Sequence, residues 1–152
     1  MTPNFPNDSD FRAPPSARLL GWGGVIPFAV LALASLTATP EAARALLGYG
    51  AIILGFMGAI WWGVAMARGE ARSPFYAISV LPALAAFAAL LSPVWVGLWL
   101  LAAAFAILLL FDLAQVRRNA APQWYAALRI RLTVCVLLSL SFVAFMQGRS
   151  LF

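Results

Sequence analysis

The spacing of charged residues constrains the fold of this chain more than any other feature. The charges leave four long uncharged runs: 22 residues at 19–40, 23 at 45–67, 39 at 73–111 and 17 at 132–148. A helix needs about 20 apolar residues, each rising about 1.5 Å, to cross a hydrocarbon core of about 30 Å. The first two runs therefore each predict one membrane crossing.

The third run is too long for a single crossing and must fold back. Ser92-Pro93 is the turn signal near its middle, because proline cannot continue the preceding helix but is tolerated in the first turn of a new one. The last run is short, but Arg129 and Arg131 can extend their charged heads toward the interface. The sequence thus predicts an all-α integral membrane protein with five transmembrane helices, near 19–38, 45–67, 74–91, 94–113 and 130–147.

The composition agrees with a membrane protein and argues against a soluble domain. Apolar residues make up 64% of the chain and charged residues 10%, whereas soluble domains carry about 25% charged residues. All ten basic residues are arginine, and they lie between apolar runs rather than along one face. We therefore expect them to bind anionic lipid headgroups of the bilayer, and we expect no nucleic-acid partner.

The distribution of arginine predicts the orientation. With five crossings, one side of the membrane collects eight arginines and the other only Arg44 and Arg149. The eight are Arg12, Arg18, Arg68, Arg72, Arg117, Arg118, Arg129 and Arg131. Because cytoplasmic loops are enriched in basic residues, the amino terminus is predicted to be cytoplasmic and the carboxyl terminus outside.

Residues 1–17 contain four prolines and no helical period, which predicts a flexible cytoplasmic arm before a transmembrane domain at 18–152. An alternative for the first apolar run is a cleaved signal peptide, since residues 32–34 (Ala-Leu-Ala) resemble a cleavage site. The continuation of the run through Leu36 favours a retained helix.

Small residues recur at every fourth position of the second predicted helix. They are Ala51, Gly55, Ala59, Gly63 and Ala67. Small residues let a neighbouring helix backbone approach closely in a membrane, so this pattern, the small-residue face, predicts a helix-packing interface. A helix of the same chain is the favoured neighbour, and a partner protein is the alternative.

The residue types that usually carry catalysis are scarce. The chain has no histidine, no lysine and only one cysteine, Cys135. This removes the commonest metal ligand and general base, the Schiff-base amine and any CxxC pair. The sequence therefore predicts a protein that is not an enzyme, with no catalytic, cofactor-binding or metal-binding residues.

Asp112 is the one acidic residue attached to a predicted span. It lies 18 residues beyond Val94, about 27 Å along a helix, and is therefore expected in the inner headgroup region. The favoured interpretation is an interfacial acid that faces the arginine-rich side. The alternative is a proton or cation site in which Asp112 pairs with Arg129 or Arg131 across two helices.

The segment 122–131 joins the fourth and fifth predicted helices. Trp124, Tyr125 and Leu128 share a helical face, which suggests that the segment lies in the membrane interface before the chain turns across. Lipid anchoring is favoured here over a dedicated ligand site.

Several stretches of the chain resemble the family called domain of unknown function 3429. They are 48–63 (GYGAIILGFMGAIWWG), 111–113 (FDL), 122–125 (PQWY) and 128–133 (LRIRLT). The resemblance covers roughly residues 18–146 and implies a membrane protein related to bacterial and mitochondrial proteins. In the family a histidine often precedes the Trp-Gly pair, and Trp61 occupies that place here. The family carries no established activity, so the resemblance implies location and fold but no mechanism.

Two functions remain. The favoured hypothesis is a non-enzymatic accessory or assembly subunit of a larger membrane complex, which requires a protein partner and suits the small-residue face. The alternative is a small transporter or channel with Asp112 lining the path, together with polar groups such as Thr133, Ser139 or Ser141. The alanine- and arginine-rich, lysine-free composition favours the inner membrane of a bacterium.

Overall fold

A computed structural model describes residues 13–37, 40–69, 74–119 and 121–149, and within these ranges the chain is helical apart from short turns. Its helices are α1 (Pro15–Ala34), α2 (Pro40–Gly58), α3 (Ile60–Ala67), α4 (Pro74–Leu91), α5 (Val94–Arg117) and α6 (Gln123–Arg149). A short 3-10 helix, Ser35–Thr37, extends α1.

Five helical segments are long and apolar enough to cross a membrane, which confirms the predicted fold class. They are Pro15–Thr37, Glu41–Ala67, Pro74–Leu91, Val94–Arg117 and Gln123–Arg149. The protein is therefore a multi-pass membrane protein. Most of the predicted cytoplasmic arm (residues 1–12) lies outside the described residues, while the helix α1 already includes residues 15–17, which were expected to belong to that arm.

Proline and residues in left-handed backbone conformation set several helix boundaries. Pro15 and Pro74 begin α1 and α4, where the missing backbone donor costs nothing. Beyond the last residues of α3 and α5 lie Gly69 and Asn119, with φ of 65° and 57°. Such residues end helices, because glycine and asparagine tolerate this conformation better than other residues.

The helices α2 and α3 act as one span. The backbone N–H of Ala59 donates to the carbonyl of Gly55 at 3.2 Å, and that of Gly63 donates to the carbonyl of Ala59 at 3.3 Å. Helical hydrogen bonds thus continue across the turn at Ala59. Next to this turn Gly58 lies against α4, where an added Cβ would come within 2.7 Å of Pro82 Cγ.

The last span differs from the prediction at its start. Helix α6 is continuous from Gln123, so the segment expected to lie in the interface forms its first turns. Its 27 residues extend about 40 Å, which is longer than the hydrocarbon core. The shortness of the uncharged run is therefore no obstacle, because the helix includes Arg129 and Arg131.

The helices pack with α2 and α5 at the centre. Helix α5 contacts α2, α4 and α6, while α1 lies across α2 and α6. The core between them is almost wholly aliphatic and aromatic. Its most fully buried large side chains are Phe28, Leu46, Leu54, Leu98, Leu101, Phe105 and Leu140.

Only the first part of the small-residue face packs against another helix of the described chain. Ala51 is buried and an added Cβ at Gly55 would lie 3.9 Å from Ala83 of α4, whereas Ala59, Gly63 and Ala67 are exposed. Four residues turn a helix by about 400°, so a four-residue spacing drifts by about 40° at each step. From Ala51 the drift reaches about 80° at Ala59, about 120° at Gly63 and about 160° at Ala67, so the later residues turn progressively away from the side that Ala51 occupies. The first half of the small-residue face therefore packs against α4, whereas the second half is exposed in the described chain.

Candidate functional site

Three helices bring buried polar side chains together at one end of the bundle. Trp61 belongs to α3, Asp112 to the last part of α5 and Arg129 to the second turn of α6. Their exposed fractions are 1%, 1% and 4%. With Tyr125 they form what we call the Asp112 cluster.

The Asp112 carboxylate accepts hydrogen bonds on both oxygens. Trp61 Nε1 donates to Oδ1 at 2.8 Å, and Arg129 Nε donates to Oδ2 at 2.6 Å. The Tyr125 hydroxyl lies 3.4 Å from Oδ2, a long and therefore weak contact. The carboxylate is thus bound to α3 and α6 at once, and Asp112 is buried between helices.

Aromatic rings enclose this cluster. The Trp61 ring lies 5.3 Å from the rings of both Phe75 and Phe111, measured between centroids. The Phe111 contact is edge-to-face, with an interplanar angle of 85°, a favourable arrangement for aromatic quadrupoles. The two rings therefore restrict the orientation of Trp61, whose N–H donates to Asp112.

Because the Asp112–Arg129 ion pair is buried, its electrostatic attraction roughly offsets the cost of removing both charges from water and adds little net stability. Removing two charges from water is expensive, and their mutual attraction offsets that cost only when the geometry is good. Loss of one partner leaves the other as an uncompensated buried charge. The pair therefore fixes the relative positions of α5 and α6, because neither charge is tolerated there alone.

The structure brings two of the three predicted polar residues together. Asp112 pairs with Arg129, whereas Arg131 is exposed. Two residues along a helix turn it by about 200°, so Arg129 and Arg131 point in opposite directions. The sequence reasoning missed Trp61 as a donor. It treated Tyr125 as a lipid anchor, although Tyr125 stands four residues before Arg129, the spacing of neighbours on one helix face.

Beside the cluster lies a cleft of about 340 Å³ between α1 and the helices it crosses. Its walls come from residues within 17–28 of α1, 53–60 of α2 and α3, and 124–136 of α6, with Phe105 of α5. Most of these residues are apolar, and Arg129 and Thr133 are the polar side chains that reach deepest into the packed bundle. Asp112 does not line the cleft.

Two buried polar atoms at this cleft lack a hydrogen-bond partner among the described residues. They are Arg129 Nη2 and the hydroxyl oxygen of Thr133. Arg129 therefore uses Nε for Asp112 and retains unused donor capacity at Nη2. Buried donors normally have partners, so Nη2 is chemically distinctive.

The other groups considered for a transport path do not gather around Asp112. The Ser139 hydroxyl donates to the backbone carbonyl of Cys135 at 3.0 Å. Ser141 lines a separate, shallow groove with Trp99 and Phe145. Within the described ranges, no group of three His, Cys, Asp or Glu side chains is placed to share a metal ion.

Sequence comparison with known proteins assigns this chain to a family. The profile of a family described as protein of unknown function (DUF3429) matches residues 13–145. The chain belongs to that family. The matched range includes every member of the Asp112 cluster and all residues that line the cleft, so both features lie in the part of the chain that the family shares.

The chain is similar to Transmembrane protein 69 of Xenopus tropicalis, with 37% identity over 136 residues. That alignment covers 84% of this chain and 53% of the frog protein, so the chain spans about half the length of its relative. No solved structure matches the chain. The DUF3429 assignment thus agrees with a multi-pass membrane protein whose activity is unknown.

Proposed function

We propose that this DUF3429 protein is a non-enzymatic accessory or assembly subunit that binds a transmembrane helix of a larger membrane complex. The observation that carries the proposal is the uncovered second half of the small-residue face. Ala59, Gly63 and Ala67 are exposed at the end of the α2–α3 span, and an added Cβ at Gly63 would meet no atom within 4 Å.

Such a surface suits a helix partner rather than lipid alone. Lipid tails are as apolar as leucine side chains, so helices associate in membranes through close packing and interhelical hydrogen bonds. Small residues permit this close packing because they bring backbones together. The partner expected at Ala59, Gly63 and Ala67 is therefore a transmembrane helix with a small or smooth face of its own.

The placement of Asp112 favours this proposal over a transport path. A transported proton or cation needs a carboxylate that faces the path. Here both oxygens of Asp112 accept hydrogen bonds from neighbouring helices, and the residue lies outside the cleft. A structural role for the cluster is the simpler reading of these contacts.

The test uses a pair of glycine variants in the full chain. Gly63→Leu adds bulk to the exposed face of α3, and Gly23→Leu adds the same bulk to an exposed position of α1 where a Cβ likewise meets nothing within 4 Å. After extraction in a mild detergent, native mass spectrometry measures the fraction of the protein in a complex with another membrane protein. We expect Gly63→Leu to lose that complex and Gly23→Leu to retain it.

Two results would contradict the proposal. One is a monomer as the sole species for the unaltered chain, and the other is an equal yield of the complex from both variants. A homodimer lost on Gly63→Leu would assign the surface to a second copy of this chain instead of a different subunit. The thermal unfolding temperature of each variant serves as the check on folding.

The location proposed for the subunit is a bacterial inner membrane, with the amino terminus in the cytoplasm. Its support is the lysine-free, arginine-rich composition and the predicted eight-to-two distribution of arginine. A reporter that is active only outside the cytoplasm, fused after Phe152, should be active. Activity of a cytoplasm-only reporter at the same site would refute the orientation.

A further inference from the structure

We propose that the cleft between α1, α2 and α6 binds a neutral amphiphile whose carbonyl oxygen accepts hydrogen bonds from Arg129 Nη2 and the Thr133 hydroxyl. The tail of that molecule lies against the apolar walls of the cleft. This site is separate from the helix-binding surface on α3, and neither proposal depends on the other.

The shape and lining of the cleft fit a small amphiphile. Its volume of about 340 Å³ falls in the range of about 300–1,000 Å³ that small-molecule sites occupy. Such sites are mostly apolar with a few placed polar groups, as this one is. Leu20 and Phe56 line it yet are 76% and 68% exposed, so the cleft opens onto the lipid-facing surface and a chain can extend from it.

The polar end of the cleft is built for an acceptor. Arg129 and Thr133 are 4% and 1% exposed, both line the cleft, and each has a polar atom with no partner among the described residues. They stand four residues apart on α6, which places them on the same helix face. One oxygen atom with two lone pairs, such as a carbonyl oxygen, can accept from both groups.

The net charge of the site favours a ligand with a neutral head group over an anionic one. The positive charge of Arg129 is already balanced by Asp112 at 2.6 Å, so an anionic head would add a net negative charge to a buried, low-dielectric site. An uncompensated buried charge is strongly unfavourable. The exposed Arg131 does not line the cleft and cannot supply that balance. A neutral ester, amide or quinone carbonyl therefore fits better than a carboxylate or phosphate.

A larger residue at position 24 can fill the cleft without displacing core side chains. Gly24 lines the cleft, an added Cβ would meet no atom within 4 Å, and its backbone carbonyl accepts from the Tyr49 hydroxyl at 2.9 Å. Gly24→Leu keeps that carbonyl, favours the helix and places a side chain in the cleft. Gly23→Leu is the matched control, because Gly23 is exposed and does not line the cleft.

The experiment measures photolabelling of the purified full chain in detergent micelles. The probe is a monoacylglycerol with a diazirine in its acyl chain, and cross-linked peptides are mapped by mass spectrometry. We expect labels on cleft segments of α1, α2 and α6. The matching glyceryl ether, which lacks the carbonyl, should compete about ten-fold less well than the unlabelled ester, because charged hydrogen bonds are among the stronger ones. The corresponding fatty acid should also compete more weakly.

The variants separate binding from folding. Gly24→Leu should abolish labelling of the cleft and Gly23→Leu should leave it unchanged. Thr133→Val removes one neutral hydrogen bond and should weaken binding about five-fold. The same change removes a buried hydroxyl without a partner, so the unfolding temperature of the unliganded protein should not fall.

Several results would overturn the proposal. They are labels spread evenly over the lipid-facing helices, equal labelling of the cleft in Gly24→Leu and Gly23→Leu, and equal competition by ester and ether. Stronger competition by the fatty acid would assign the site to an anion and equally refute a neutral ligand. If Gly24→Leu does not fold, unchanged affinity in Thr133→Val is sufficient to reject it.

Discussion

The two ends of the helical bundle are held together by different means. At the end that carries the Asp112 cluster, directional hydrogen bonds to one buried carboxylate join α3, α5 and α6. At the end that carries the Ser92-Pro93 turn, backbones approach closely instead. An added Cβ at Gly97 of α5 would collide with the Ala89 carbonyl oxygen of α4 and lie 2.9 Å from Leu47 of α2.

The difference shows what each kind of contact contributes in a membrane. Apolar side chains gain little by leaving lipid for protein, so close backbone packing and hydrogen bonds have to specify which helices meet. Gly97 has no room for added volume, whereas the ion pair is destabilised when either charge is lost. The two ends should therefore respond to different kinds of substitution.

The largest effect is expected from neutralising the carboxylate. Asp112→Asn preserves the size of the side chain but leaves the Arg129 charge without a balancing partner. Breaking a buried pair in this way costs about 3–5 kcal/mol. The free energy of unfolding, measured by denaturant titration in detergent, should fall by that amount, while insertion of the five spans remains intact.

A loss below about 1 kcal/mol would mean that the pair is no stronger than an exposed one. Failure of the variant to accumulate in the membrane would show that the pair is already needed during insertion. The control is Glu41→Gln, which neutralises an exposed acid in the first turn of α2.

An intermediate effect is expected at the other end. Gly97→Ala places a methyl group where the Ala89 carbonyl oxygen and Leu47 leave no room. Overpacking of this kind costs about 1–3 kcal/mol, and the backbone oxygen cannot move aside as a flexible side chain would. Unfolding titration should show this loss, whereas Gly48→Ala, with no atom within 4 Å of the added Cβ, should be neutral or stabilising. Equal stability of the two variants would refute the close approach.

The smallest effect is expected when a single donor is removed from the cluster. Trp61→Phe retains an aromatic ring beside Phe75 and Phe111 but loses the N–H that donates to Asp112. Hydrogen bonds between membrane helices contribute about 0.6 kcal/mol on average and about 1.7 at most, and the smaller ring adds a packing loss. Unfolding titration should give a loss smaller than that of Asp112→Asn. A loss as large would make Trp61, rather than Arg129, the main partner of the carboxylate.

The spacing of charges was enough to predict five spans, because crossing lipid demands long uncharged helices. The 39-residue run with Ser92-Pro93 at its middle corresponds to α4 and α5. The spacing of charges did not predict where α6 begins. The charge on Arg129 was treated as a boundary of the span, whereas Asp112 balances it inside the bundle.

The candidate site was only partly predictable for a related reason. Asp112 and Arg129 stand out as charges beside apolar runs, but the Trp61 donor comes from 51 residues earlier in the chain and looks in the sequence like any interfacial tryptophan. The four-residue repeat on α2 and α3 did indicate helix packing. Its drift around the helix divides it between α4 and the exposed surface, and that division follows from helix geometry rather than from residue type.

A double substitution tests most directly whether Asp112 and Arg129 act as one balanced pair. Asp112→Leu combined with Arg129→Met replaces both charges by apolar side chains, which is often nearly neutral when a buried pair is removed as a whole. Trp61 loses its acceptor, so we predict that unfolding titration gives a loss of about 1–2 kcal/mol for the double variant. Each single substitution should cost about 3–5 kcal/mol. A double variant as unstable as the sum of the two single variants would contradict the claim that these residues act as one balanced pair.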